Sequence, residues 1–281
     1  MLASMNDVLL PAKQGGYGVG FFNAVNVEMA RAVIETAEEL HAPVMIGTAE
    51  VLLPVMSLEH VAEYLIPMAK KARVPVCVHY DHGLTFARCM QALKLGFTSV
   101  MYDCSTEPYE NNIAKVAEMV EICHAMGTTV EGELGHVGDN EGSGRLDDPS
   151  AYFTDPAMAT DFVQRTGVDS LAIAVGNAHG DYKLSPKLDF ARIATIANKT
   201  DLPLVLHGGS GLHDEDFRRA VKAGICKVNI FTDIDKAGKH GIETGLQAGA
   251  NTMMQLIPYE IDAMKAVVQE KMTLFGSVER A

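Results

Sequence analysis

Three histidines of this 281-residue chain share a placement that suits a metal ion. His82, His179 and His207 stand at the carboxyl ends of apolar runs, within His79-Tyr80-Asp81-His82-Gly83, Gly176-Asn177-Ala178-His179-Gly180 and His207-Gly208-Gly209-Ser210-Gly211. A lone histidine is more often a satisfied structural residue than a ligand. Three in the same relative place are different, because parallel strands would bring them together on one ion. Neutral imidazoles with one position left open suit a catalytic Zn²⁺. Glu133, in Glu131-Gly132-Glu133, is a fourth or alternate ligand, and Asp81 and Asp103 place further carboxylates at run ends. His41, His60, His124 and His240 fall in or beside helical patterns and read as structural or solvated, while His79 lies within its run and His136 and His213 lie on loops.

Glycines supply a second feature. Gly180, Gly208, Gly209 and Gly211 flank these histidines, and the last three precede a helical pattern at 214–223. Such a loop turns backbone N–H groups toward a helix start, where the donors and the helix dipole favour a phosphate. Ser210 adds a hydroxyl and Lys183 a charge. One such segment alone reads as ordinary turn glycines. A second, at 229–232 with Asn229 and Thr232, makes an anion site the better account.

The elements that would position these residues alternate along the chain. Apolar runs at 18–22, 44–47, 76–79, 99–102, 129–133, 170–174, 204–207 and 227–230 read as strands. Amphipathic patterns at 27–40, 58–71, 85–95, 110–126, 156–166, 190–198 and 215–223 read as helices, with a final pair after Thr232. Strands covered on both faces carry near-continuous apolar runs, as these do. The expectation is an α/β protein of one domain over 1–281, a (β/α)8 TIM barrel with extra C-terminal helices, whose chemistry collects at the carboxyl ends of the strands.

Bulk composition narrows the partners. The chain carries 23 basic and 36 acidic side chains, a formal charge of −13, without a basic stripe. Nucleic acid and anionic membrane are therefore poor partners. No window approaches the roughly 20 apolar residues of a membrane span, and a cytoplasmic location is expected. Five cysteines, odd in number and without a CxxC pair, read as reduced thiols, and Cys77 and Cys226, within apolar runs, read as small buried hydrophobes.

The residues resemble a known family in six segments: YDHG at 80–83, MYDCS at 101–105 followed by ENN, VEGELG at 130–135, GNAHGDYK at 176–183, LHGGSGL at 206–212 and KVNIFTD at 227–233. These are similar to the class II, zinc-dependent fructose-bisphosphate and tagatose-bisphosphate aldolases, and the tail KMTLFGSVERA is similar too. The resemblance implies that His82, His179 and His207 hold zinc, that Glu133 holds it in a displaced position, and that Asp81 shuttles the hydroxyl proton. It implies retro-aldol cleavage to dihydroxyacetone phosphate plus an aldehyde through a zinc-stabilised enediolate, with a further monovalent or divalent ion allowed. The phosphate would lie on Gly180, Lys183, Gly208, Ser210 and Thr232, with Asn229 near the three-carbon backbone. A homodimer or homotetramer is expected.

Three departures qualify that resemblance. The loop HVGDNEGSGRLDD at 136–148 makes Glu141 the candidate for exchanging the carbon-bound proton, with Asp139 and Asp147 as alternatives. Phe231 stands where the family usually has Asn or Asp, and PYEIDAMK at 258–265 lacks the arginine that holds the far phosphate. Arg88, Arg145 or His136 could replace that arginine. The competing readings are an aldolase of a phosphorylated ketose with a non-phosphate terminus, a zinc hydrolase, and a non-catalytic partner barrel. The phosphate glycines disfavour the hydrolase, and an intact Asp81 with its three histidines disfavours the non-catalytic barrel.

Overall fold

β-Branched and apolar runs with both faces covered become strands, and the stretches between them, apolar at helical spacing, become helices. In the computed structural model, which describes residues 1–135, 137–139, 153–180 and 186–281 (the backbone alone at 138, 139 and 179), the order is as follows. The chain begins with β1 (Leu2–Ala3), α1 (Met5–Gly15), β2 (Val19–Asn23), α2 (Val27–Glu39), β3 (Val44–Ala49), a 3₁₀ turn (Glu50–Leu52), α3 (Leu58–Lys71) and β4 (Val76–Gly83). It continues with α4 (Phe86–Leu95), β5 (Ser99–Tyr102), α5 (Tyr109–Ala125), β6 (Thr129–Leu134), β7 (Gly138–Asp139), α6 (Pro156–Thr166), β8 (Ser170–Ile173) and β9 (Ala178–His179). It ends with α7 (Phe190–Lys199), β10 (Leu204–Leu206), α8 (Asp214–Ala223), β11 (Ile225–Ile230), α9 (Thr232–Gln247) and α10 (Met253–Phe275).

Eight parallel strands close in the order β2-β3-β4-β5-β6-β8-β10-β11 and back to β2, a TIM barrel with C-terminal helices. Each barrel strand coincides with one of the eight apolar runs. One difference matters for the site: β4 continues to Gly83 rather than stopping at 79, because Tyr80 and Asp81 stay paired with Thr48 and Ala49 of β3.

The sequence reading missed β1 and α1. Helix α1 is fixed by a capping box, in which Ser4 Oγ accepts from Asp7 N at 3.1 Å and Ser4 N donates to Asp7 Oδ2 at 2.8 Å. Its buried Met5, Val8, Leu9 and Ala12 pack on Val19, Phe21, Met45 and Cys77 at the amino ends of β2, β3 and β4. Burying the three larger side chains stabilises this contact by about 1.5–3 kcal/mol each. The helix thus plugs one mouth of the barrel and leaves the carboxyl ends of the strands as the face for chemistry. All five cysteines are free, as expected, and all five are buried, beyond the expected Cys77 and Cys226; burial pushes the Cys77 thiol up to about 12.

Candidate active site

Alternation sends every second side chain of a barrel strand inward. On β4 these are His79 and Asp81, on β6 Glu131 and Glu133, and on β11 Lys227 and Asn229, all at most 6% exposed. His82 follows Asp81 directly, so a regular strand would turn it outward. The register between β4 and β5 instead shifts between Tyr80 and Gly83, and His82 takes a left-handed φ of 41°. That bulge re-aims one side chain, and both Asp81 and His82 reach the interior. A φ of this sign on a residue with a β-carbon is uncommon and clusters at functional sites.

His207 is the first residue beyond β10, and its carbonyl accepts from Asn177 Nδ2 at 3.0 Å. His82 Nε2 and His207 Nδ1 face one another 2.7 Å apart. The far nitrogen of each ring is held by a carboxylate: His82 Nδ1 lies 2.8 Å from Asp103 Oδ2, and His207 Nε2 lies 2.9 Å from Glu131 Oε1. A carboxylate accepts only, so each far nitrogen carries a proton, and in a neutral ring the facing nitrogen then presents a lone pair. Two lone pairs cannot face each other at that distance without a positive centre between them, a proton or a cation. Carboxylate-held imidazoles are also the arrangement that orients metal ligands. The donor set therefore fits a divalent ion. Asp81, His82 and His207 place ligand atoms within 4.8 Å of one another, as do His82, Asp103 and Glu133.

Electrostatics agree with that fit. Burial opposes charge on His82, but Asp81, Asp103 and Glu133 overcome it and raise its pKa to about 10. Burial and the neighbouring Asp103 push Glu133 up to about 8, and its Oε2 is buried without a hydrogen-bond partner. Asp81 is lowered despite burial, by His82, His207 and Lys227. Its two oxygens accept from Asn229 Nδ2 and Asn23 Nδ2, each at 3.1 Å, which leaves the buried Oδ1 of both asparagines unpartnered. A polar ligand entering here would meet several unsatisfied groups.

The glycine loops expected to hold a phosphate are built differently from the simplest sequence expectation. Gly208 and Gly211 have φ of 62° and 82°. The Gly209 N–H, however, donates to Asn229 O at 3.0 Å, so it ties the loop to β11. Ser210 Oγ accepts from Phe231 N at 3.2 Å and Asp233 N at 3.3 Å, and so caps α9, whose own N-cap residue Phe231 has no capping side chain. The hydroxyl proton of Ser210 remains a donor. Thr232 opens α9, and Gly180 has φ 77°. Asn229, expected beside the substrate carbons, holds Asp81 and comes within 3.3 Å of His207 Nδ1.

The backbone of His179 pairs with Asp139 in a short parallel β7–β9 ladder. Its side chain lies outside the described residues, as do Glu141, Lys183, Asp147, Arg145 and His136. The residues that sequence reasoning missed are Lys227, Glu131 and Asn23. Lys227 Nζ is 2.8 Å from Glu131 Oε2 and 3.4 Å from His79 Nε2, so an ammonium already occupies the cluster of His79, Asp81 and Glu131. The available signal was a charge inside an apolar run two residues before a candidate site residue, as in Glu131/Glu133 and Lys227/Asn229.

The chain superposes on the YdjI aldolase from Escherichia coli K12 with a TM-score of 0.90 and 35% identity, covering 100% of both chains. It superposes on the fructose-bisphosphate aldolase of Campylobacter jejuni with a TM-score of 0.84, covering 100% of this chain and 97% of that one, and at 23% identity this likeness speaks for the fold. Residues 3–280 match the pattern of the fructose-bisphosphate aldolase class-II family. A barrel of this topology, the imidazole pair at its carboxyl face and a match over nearly the whole length agree: the chain belongs to the class II fructose-bisphosphate aldolase family and is a lyase.

Proposed function

We propose that this protein is a zinc-dependent aldolase that interconverts a ketose 1-phosphate or ketose 1,6-bisphosphate with dihydroxyacetone phosphate and an aldehyde. The observation that carries this reading is the facing pair His82 Nε2 and His207 Nδ1 at 2.7 Å, with Asp81 in the same cluster. His82 and His207 would hold the ion, with His179 completing the set and Glu133 as the alternate ligand. When bound, the metal supplies Lewis-acid polarisation of the substrate carbonyl and its neighbouring hydroxyl.

The chain's own residues do the rest. Asp81, held by Asn23 and Asn229, accepts the proton of the hydroxyl on the carbon that becomes the aldehyde. As that proton leaves, the adjacent carbon–carbon bond breaks, and its electron pair stays on the carbon beside the ketone. Glu141 is our candidate to return a proton to that carbon. The phosphate is assigned to Gly180, Lys183, Gly208, Ser210 and Thr232, with the Ser210 hydroxyl donating to it. We place this activity in one domain, in a homodimer or homotetramer in the cytoplasm, whose reducing conditions suit the free thiols.

A specific observation favours a narrower substrate. Helix α10 contains no arginine, Lys265 is paired with Glu35 and Glu39 at 2.7 and 2.9 Å, and Lys271 is 3.3 Å from both Asp233 and Glu270. Arg88, exposed on α4, donates to Gln91 at 2.7 Å. No cation of α10 is left over for a far phosphate, which supports a ketose 1-phosphate with a non-phosphate terminus. The test of the reaction is exchange of a dihydroxyacetone phosphate C–H proton with D₂O. Exchange that a chelator abolishes and Zn²⁺ restores is the expected result. Exchange that persists unchanged in His82→Ala overturns the proposal.

A further inference from the structure

We infer that Lys227 and Glu131 are positioning residues: their buried ion pair selects the ring tautomer of His207 that presents Nδ1 toward His82. The inference rests on the reading of His82 and His207 as ligands of one ion.

The cluster lies one layer below the site and is fully enclosed, with His79, Glu131, His207 and Lys227 all at 0% exposure. A buried ion pair is weak evidence for stability, because desolvation offsets the attraction. Its geometry points to another use. Glu131 divides its oxygens: Oε2 takes Lys227 Nζ at 2.8 Å and Ser170 Oγ at 3.3 Å, while Oε1 takes His207 Nε2 at 2.9 Å. The ammonium is held from three sides, by Glu131, by His79 Nε2 at 3.4 Å and by the Phe21 ring at 4.6 Å. His79 is anchored in turn, with Nδ1 2.7 Å from Ser99 Oγ.

Six strands thus fix the direction of one carboxylate, since Phe21 comes from β2, His79 from β4, Ser99 from β5, Glu131 from β6, Ser170 from β8 and Lys227 from β11. Oε1 has one direction left, toward His207. An imidazole that donates Nε2–H has its lone pair on Nδ1. Asp103 does the same for His82 from the other side, so the two rings are oriented by two independent supports. Supports of this kind typically change metal affinity 10–100-fold when removed.

Two readouts on the intact protein test the inference. Histidine-selective ¹⁵N labelling with long-range ¹H–¹⁵N correlation reads the His207 tautomer in metal-free protein, and chelator competition reads zinc affinity. The expected result is an Nε2–H tautomer at His207 in the wild type, lost or mixed in Glu131→Gln and Lys227→Met, with zinc affinity 10–100-fold weaker and the His82 Nδ1–H held by Asp103 unchanged. If Lys227→Met does not fold, the double variant Lys227→Met/Glu131→Gln removes both charges and carries the same two readouts. A His207 that keeps Nε2–H, with zinc affinity within about twofold of wild type, overturns the inference. Failure of the wild type to bind zinc would instead overturn the proposed function, and the metal-free tautomer measurement keeps the two outcomes apart.

Discussion

His82 and Asp81 are neighbours in sequence with separate proposed tasks, and substitution should separate them. His82→Ala removes a proposed ligand, so zinc content and activity should fall together. Asp81→Asn keeps the shape and loses the proton acceptor, so kcat should drop about 10²–10⁴-fold while metal analysis still finds zinc. A second expectation concerns pH. In the metal-free protein His82 is raised from 6.5 to about 10 and Glu133 from 4.5 to about 8, and both raised groups favour the folded state at the acid end. Stability from Glu133 is complete below 4.5 and lost as pH rises through about 8; that from His82 is complete below 6.5 and lost through about 10. Chelator-treated protein should therefore lose Tm between pH 6 and 9, and Zn²⁺, which competes less with the His82 proton as pH rises toward about 10, should restore more at pH 9 than at pH 6. A Tm that climbs over that interval would contradict the assignment. His82, His207, Asp81 and Glu133 were legible because each stands at the end of an apolar run. Glu131 and Lys227 were not, since a charge within a run looks the same whether it faces water or a closed barrel, and only closure of the sheet decides.

At the scale of elements, the loops after β10 and β11 work as one unit. Gly209 sits against β11 so closely that an added Cβ would meet Asn229 O at 2.8 Å and Val228 Cγ1 at 2.8 Å. Gly209→Ala should push the end of β11 away, displace Asn229 from Asp81, and lower kcat without loss of zinc. Ser210→Ala removes the acceptor shared by two N–H groups at the start of α9, at a cost of about 1 kcal/mol in denaturant titrations. It should also raise KM for the phosphorylated substrate, and an unchanged KM would separate Ser210 from the phosphate. The glycine segments and all eight strands were legible from composition and period. That Gly209 spends its N–H on Asn229 was not, because it depends on two loops meeting across the barrel. Helix α1 was missed for another reason: with Pro11 inside it and Gly15-Gly16 at its end, its apolar stripe is short, and its capping box is the only strong local signal.

For the molecule as a whole, the net charge of −13 sits beside an interior in which, among the described residues, the one buried lysine of the strands serves Glu131. On the proposed reading, anion binding falls to loop backbone, a hydroxyl, Lys183 and the metal, and no basic surface is required. The lysines of α10 are committed to acids, so kcat/KM for fructose and tagatose bisphosphates should fall below that for a ketose 1-phosphate with an uncharged or acidic far end. A high kcat/KM on either bisphosphate would remove the case for the narrower substrate. Fold and family were legible end to end because the motifs lie at strand ends in barrel order, whereas the substrate's far end is set by residues scattered over loops and α10. The central claim is that His82 and His207 share one ion. Anomalous scattering at the zinc edge from crystals of the zinc-loaded protein tests it most directly: the account predicts a peak about 2.0–2.1 Å from both His82 Nε2 and His207 Nδ1, and a fully loaded protein with no peak joining these two nitrogens would contradict it.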